Sequence, residues 1–195
     1  DIETVGSGLQ IEVVRGYLAH SKIKSPVGVR WTHNYLMHLR NAPNKRIQLF
    51  RADGTSVIFT QTHPGTYISE ADDTLVLTQR GSGAYSLQDD TGTEYGFNRK
   101  GRLTHIHGHE YGNILSLAYG ADGYLESISH SKGSVLTFYY DPETHRLTSI
   151  GDGRGEVASY KHDALGNLLE MTNAEGVTSE YNYDRQSRLV GVTFP

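Results

Sequence analysis

The sequence predicts an all-β protein, an open twisted sheet of successive β-hairpins repeating every 21–22 residues, with no long helices. Three observations carry that reading. Apolar side chains recur in register through the second half, apolar and polar residues alternate in the first half, and Gly and Tyr are abundant. Of 195 residues, 22 are Gly, 13 are Tyr and only 5 are Pro, a composition suited to strands joined by tight turns. Hydrophobic residues make up 36% of the chain, enough for a buried core.

The repeat is read from four columns. Phe97, Tyr119, Tyr140, His162 and Tyr183 follow one another at intervals of 22, 21, 22 and 21 residues. Leu103, Leu125, Leu147, Leu168 and Leu189 keep step with them, and three residues after each Leu stands Ile106, Ile128, Ile150, Met171 or Val192. Gly112, Gly133, Gly155 and Gly176 mark the joints. Each unit reads as two strands and two turns. The first strand carries a pair at i and i+2, such as Phe138/Tyr140 or Tyr181/Tyr183, and residues two apart share a strand face. The second strand raises a conflict, because a Leu and an apolar residue three positions later cannot share one face of a regular strand. Either both faces are packed or a bulge re-aims one side chain. Two short strands per unit are too few for a propeller blade of ~40 residues, and no helix accompanies them. What remains is a continuous sheet of hairpins with edges to manage.

The first half is also strand-like. From Val27, the residues Val29, Trp31, His33, Tyr35, Met37 and Leu39 alternate with mainly polar partners, which predicts a strand, and Leu9, Ile11, Val13, Arg15 and Tyr17 do so more loosely. Asp53-Gly54 between apolar runs at 48–50 and 57–59 signals a hairpin, and short strands fit 74–78 and 84–87. The division expected is a β segment over residues 1–92 and five repeats over 93–195, the last incomplete.

Charge and composition exclude several classes. With 18 Lys+Arg against 22 Asp+Glu the net charge is −4, and no basic stripe for nucleic acid is visible. No apolar run approaches the ~18 residues of a membrane-spanning helix. The sequence has no Cys, which removes thiol catalysis, disulfides and thiolate metal sites.

Tyr139-Tyr140-Asp141 followed by Arg146-Leu147-Thr148-Ser149-Ile150 resembles the YD repeat of Rhs-family proteins. Tyr183-Asp184 with Arg188-Leu189, and His162-Asp163 with Gly166-Asn167-Leu168, are variants of the same unit. In the first half, Arg15-Gly16-Tyr17 and Gly28-Val29-Arg30-Trp31-Thr32-His33-Asn34-Tyr35 are similar to the segment that precedes those repeats in bacterial Rhs proteins. Asp53-Gly54-Thr55 and the run from Asp90 to Phe97 fit as well. The resemblance implies a structural piece of a large polymorphic toxin. In that family the repeats spiral into a hollow shell around a variable C-terminal toxin, and many members travel through the type VI secretion apparatus to kill neighbouring bacteria. A spike domain, an Asp-Pro-x-Gly autoproteolysis signature and a toxin domain are not found in the sequence, which is therefore read as a fragment or processed piece of the shell.

Several residue clusters have the composition of chemical sites. His105, His107 and His109, followed by Glu110, could converge on Zn²⁺ from one strand face, but same-face neighbours ~7 Å apart suit three ligands poorly without a bend. They are read as strand residues before a turn. His33 and His38 lack a nucleophile elbow or other recognisable catalytic partner, and His33 is read as ordering strand packing. Asp72-Asp73 and Asp89-Asp90 read as turn caps rather than calcium ligands, and Gly151-Asp152-Gly153-Arg154-Gly155 as a repeat joint rather than a phosphate loop. The Tyr stripe is read as packing between units, with sugar stacking as its rival. No catalytic, cofactor-binding or metal residue is assigned, and no cofactor is expected.

The function expected is a non-catalytic segment of a toxin-enclosing shell, secreted through a delivery apparatus or displayed at the cell surface. Its expected partners are the remainder of the shell, the enclosed toxin, and spike or chaperone proteins, with neither nucleic acid nor a membrane span. The alternative is a repeat-sheet module for a glycan or cell-surface receptor, and an enzyme using the His run ranks third. An open sheet also predicts edge-to-edge self-association through residues near 177–183 or 188–194.

Overall fold

The computed structural model describes residues 2–3, 9–69, 71–109 and 112–194. Sixteen strands, from His38–Ala42 to Leu189–Thr193, form one antiparallel sheet in which every strand pairs with its neighbours in sequence. The sheet does not close into a barrel. Ten of its strands, Glu94–Phe97 onward, are the five predicted units. The six that precede them, His38–Ala42 to Tyr85–Gln88, belong to the same sheet, which passes residue 92 unbroken because Tyr85–Gln88 pairs with Glu94–Phe97. The ribbon is thus six strands wider than the repeat alone implies.

A bulge resolves the conflict in the second strand of each unit. Tyr140 pairs with Leu147 and Tyr139 with Ser149, so Thr148 is the extra residue. The same shift makes Thr104, Glu126, Leu169 and Val190 the extra residues of the other units. One inserted residue flips the alternation, and the Leu and the apolar residue three later then point to one side. Leu147 and Ile150 are both buried with Thr148 exposed between them, and Leu125/Ile128 and Leu168/Met171 repeat the pattern. Thr148 and Thr104 hold their bulges by donating Oγ1–H to the carbonyls of Tyr139 and Gly96.

In four of the five units the turn between the two strands is an Asx turn, and in the second unit Gly120 stands in place of the Asx residue. Asn98, Asp141, Asp163 and Asp184 each accept backbone N–H bonds within their own turn through Oδ1. Residues 141–146 hold one residue more than their counterparts, closing with His145 N–H to the Asp141 carbonyl, whereas Gly166 N–H closes the shorter turn on Asp163. That extra residue accounts for a 22-residue interval. At the third joint the left-handed residue is Gly153, with φ 84°, and not Gly155 as the column implied.

Residues 9–37 lie outside the large sheet, as a strap of short strand pairs. Arg15–Tyr17 pairs with Trp31–His33, and Lys24–Ser25 pairs with Gly28–Val29. The alternation from Val27 to Leu39 predicted one strand, and this is corrected. Arg30 takes φ 64° after Gly28–Val29, and a 3-10 turn at Asn34–Leu36 separates Trp31–His33 from His38–Ala42. Trp31, Thr32 and His33 are buried in succession, as happens when a segment is covered on both sides. Ile11, Val13, Val27, Trp31 and Tyr35 join the inward residues of the sheet in one hydrophobic cluster, so the strap is part of the core.

Candidate functional site: a latch between the two halves of the chain

Within a unit the strand ladder reaches the column Leu, but between units it stops short. Ser127 pairs with Thr137, for example, while Leu125 has no ladder partner on that side. The splayed ends leave backbone groups to satisfy, and buried ones are costly when left unpaired. Tyr side chains take up this task. Tyr119, Tyr140 and Tyr183 donate their hydroxyls to the carbonyls of Leu103, Leu125 and Leu168 at 2.7, 2.7 and 2.8 Å. Burial pushes the Tyr119 and Tyr183 hydroxyls up to about 12 and raises Tyr140 likewise, so all three stay protonated donors near neutrality. The Tyr column is therefore an inter-unit staple, with its hydroxyls already engaged.

His162 breaks the column, and the break is where the strap enters. Leu147 N–H, which faces this gap, donates to the Pro26 carbonyl at 2.8 Å. His162 Nε2 bonds the Val27 carbonyl at 2.8 Å, and Val29 N–H donates to the Gly166 carbonyl at 2.9 Å. Gly28 fits here because a Cβ would press on the Leu168 backbone and the Trp31 ring at 3.2 Å, and because its φ of 146° disfavours other residues.

The motif residues of the first half continue the latch over the last units. Trp31 Nε1–H donates to the Tyr183 hydroxyl at 2.8 Å, and its ring meets Tyr17 and Tyr181 edge-on at 5.4 and 5.0 Å. Arg15 donates to the Tyr181 hydroxyl at 3.1 Å and sits 5.9 Å from the Trp31 ring. The Tyr17 hydroxyl accepts Leu189 N–H at 2.8 Å. Residues up to 172 positions apart are joined in this way. Pro26 carries no signal in the sequence, Tyr181 and Val27 stand out there only as strand residues, and the one pointer to the latch is the His in a Tyr column.

His33 is part of the same wall. Its Nδ1 accepts Tyr35 N–H at 3.2 Å, capping the 3-10 turn, and its ring stacks on Phe138 at 6.1 Å. Complete burial lowers its pKa to about 4. It is a neutral packing residue near pH 7. His38 does not approach it as a catalytic partner but stacks on Phe50 at 4.9 Å and bonds the Leu36 carbonyl through Nδ1.

The His run does not form one strand face. The strand Leu103–His107 ends before His109, which is exposed beyond Gly108, and Glu110 lies outside the described residues. The His105 imidazole lies over Gly96, where a Cβ would collide with it, and its burial lowers its pKa. Asp72 accepts from Arg51 at 2.6 Å and from Thr74, and Asp89 caps Thr91 and Thr93 N–H. Asp152 caps Arg154 and Gly155 N–H, so the Gly-rich stretch is a turn. Among the described residues no three His, Asp or Glu side chains are grouped to hold a metal ion, and no helix is long and apolar enough to cross a membrane.

An open antiparallel ribbon of bulged hairpins, stapled unit to unit by Tyr, defines the class as a β-repeat protein. Comparison with known proteins finds similar repeats and a similar first segment. The RHS Repeat model matches residues 140–178 and 162–195, and a domain of unknown function, DUF6531, matches residues 1–59. Probable deoxyribonuclease RhsA of Dickeya dadantii (strain 3937) is 26% identical over 200 residues, covering 97% of this chain and 14% of that protein. The repeat match over residues 140–195 and the likeness to an Rhs protein along nearly the whole chain support an Rhs/YD-repeat protein. It spans a minor part of the length of the curated relative it matches. Among solved structures, that of TcdB2-TccC3-Cdc42 aligns with 84% of this chain and 11% of its own at 18% identity and TM-score 0.43. That of TcdB2-TccC3-TEV aligns with 75% of this chain and 8% of its own, at 17% identity and TM-score 0.38.

Proposed function

We propose that this chain is a non-catalytic wall segment of an Rhs/YD-repeat shell that encloses a C-terminal toxin for secretion and delivery to competitor cells. The observation that carries the reading is the latched ribbon. Its strands pair only with sequence neighbours, and the strap fixes its curvature by tying residues 15–31 to the last two units. A wall built this way grows by adding units, and each unit needs a neighbour on its free side. Leu189–Thr193 has one strand neighbour among the described residues, and Val190 within it and Phe194 just after it are 66% and 72% exposed. Of the two segments expected at the edge, Thr178–Tyr183 is paired on both sides and Leu189–Thr193 on one side among the described residues. We assign residues 1–92 to the segment that starts and latches the wall and 93–195 to its five YD-type units. The partners on this reading are the rest of the shell and the enclosed toxin, with a secretion spike or chaperone, and the location is outside the producing cell.

Protease protection of the parent polypeptide tests this. The C-terminal domain of the intact parent should resist a protease that digests the same domain expressed alone, and resistance should vanish when the wall is unfolded. Equal digestion of the enclosed and free domains would refute enclosure.

A further inference from the structure

A second feature adjoins the latch, where the sheet curls back on itself. His38 bridges to Arg102 and Leu39 N–H donates to the Gly101 carbonyl at 2.8 Å, so the first strand of the sheet docks on the turn at residues 98–102. Gly101 permits the approach, since a Cβ would collide with the Leu39 carbonyl. Two cavities flank this seam, of about 360 and 220 Å³. The larger is near the lower end of the ~300–1,000 Å³ span of small-molecule sites.

Their walls carry one sign of charge. Arg40, Lys100 and Arg102 line the larger cavity, and Arg40, Arg99 and Lys100 line the smaller, with no Asp or Glu in either lining. None of these four cations has an ion-pair partner among the described residues. Asp122 and Glu126 raise the Tyr140 hydroxyl pKa but line neither cavity. In a chain of net charge −4 this is a local inversion. The larger wall also carries four Tyr side chains, Tyr35, Tyr119, Tyr124 and Tyr140, among aliphatic residues, and Arg102 lies 5.6 Å from the Tyr119 ring centroid.

The backbone argues against phosphate. Anion nests for phosphate use free N–H groups of a turn. Here Lys100 and Arg102 N–H both donate to Asn98 Oδ1, and Gly101 N–H donates to the Asn98 carbonyl. Recognition is left to guanidinium forks, which match carboxylate and phosphate alike, and to Tyr rings, whose apolar faces favour a ligand that carries a ring as well as its anion. We propose that this seam is a binding site for a carboxylated sugar, a uronic or sialic acid type of pyranose, with the carboxylate on Arg40 and Arg102 and the ring against the Tyr wall.

Titration of the full chain in low salt, read by ligand-observed NMR and calorimetry, tests the site with glucuronate, N-acetylneuraminate, glucose and inorganic phosphate. At least one acidic sugar should bind, with glucose and phosphate at least tenfold weaker. Arg40→Gln and Arg102→Gln should each weaken the acidic sugar about tenfold with an unchanged melting temperature, and Arg154→Gln, in an exposed turn elsewhere, should have no effect. If Arg102→Gln also lowers the melting temperature, the exposed Lys100→Gln decides in its place. No binding of either acidic sugar, equal binding of glucose or of phosphate, or indifference to the lining substitutions would each overturn the proposal.

Discussion

Acid should loosen the latch through His33. The residue is fully buried with a pKa of about 4 in the fold, against 6.5 for an ordinary histidine. The unfolded chain therefore binds more protons below pH 6.5, and stability is lost as pH falls through that value and levels off near pH 4. A difference of 2.5 pH units is worth roughly 3 kcal/mol, of which about 2 kcal/mol is already lost at pH 5. The assay is urea unfolding of the wild type and His33→Gln from pH 7 to pH 4. The variant should be less stable at pH 7, because the ring packed on Phe138 is gone, yet it should lose about 3 kcal/mol less on acidification. His162 and His105 are shifted in the same direction but are present in both proteins, so they drop out of the comparison. Identical pH slopes for the two proteins would refute the reasoning.

Three further outcomes are expected. Leu147→Ala, at a side chain 1% exposed, should cost ~2–5 kcal/mol, and an unchanged unfolding midpoint would mean the bulge does not turn this column inward. Tyr140→Phe removes the donor to the Leu125 carbonyl and should cost about 1 kcal/mol, whereas Tyr139→Phe, at an exposed ring, should cost almost nothing; equal effects would dismiss the staple. Chelation should leave the melting temperature unchanged, and one equivalent of tightly held zinc, lost on replacing His105, His107 and His109 together by Ala, would contradict the reading of the run as strand and turn residues.

Much of this protein is determined locally. The recurrence of Leu and Tyr columns every 21–22 residues sets the unit, because the hairpins depend on short-range turn chemistry, at Asn98, Asp141, Asp163 and Asp184 in four of the five, and on neighbours one unit away. The all-β class, the open ribbon and the hairpin at Asp53-Gly54 were legible for that reason. The bulge was legible only as a dilemma, since periodicity shows that two residues must share a face but not which intervening residue is displaced. Thr148 was settled by the register of the pairing.

The latch belongs to the tertiary structure alone. Trp31 and Tyr183 are 152 residues apart, and no local pattern reports a contact at such a distance. The strap looks like a strand in sequence because its apolar residues alternate with polar ones, but it is covered on both sides, and that cover is supplied by units far along the chain. The cationic seam is of the same kind. Arg40 and Arg102 are unremarkable in sequence, and they share a cavity because a sheet of sixteen strands twists until its first strand meets the turn at Gly101.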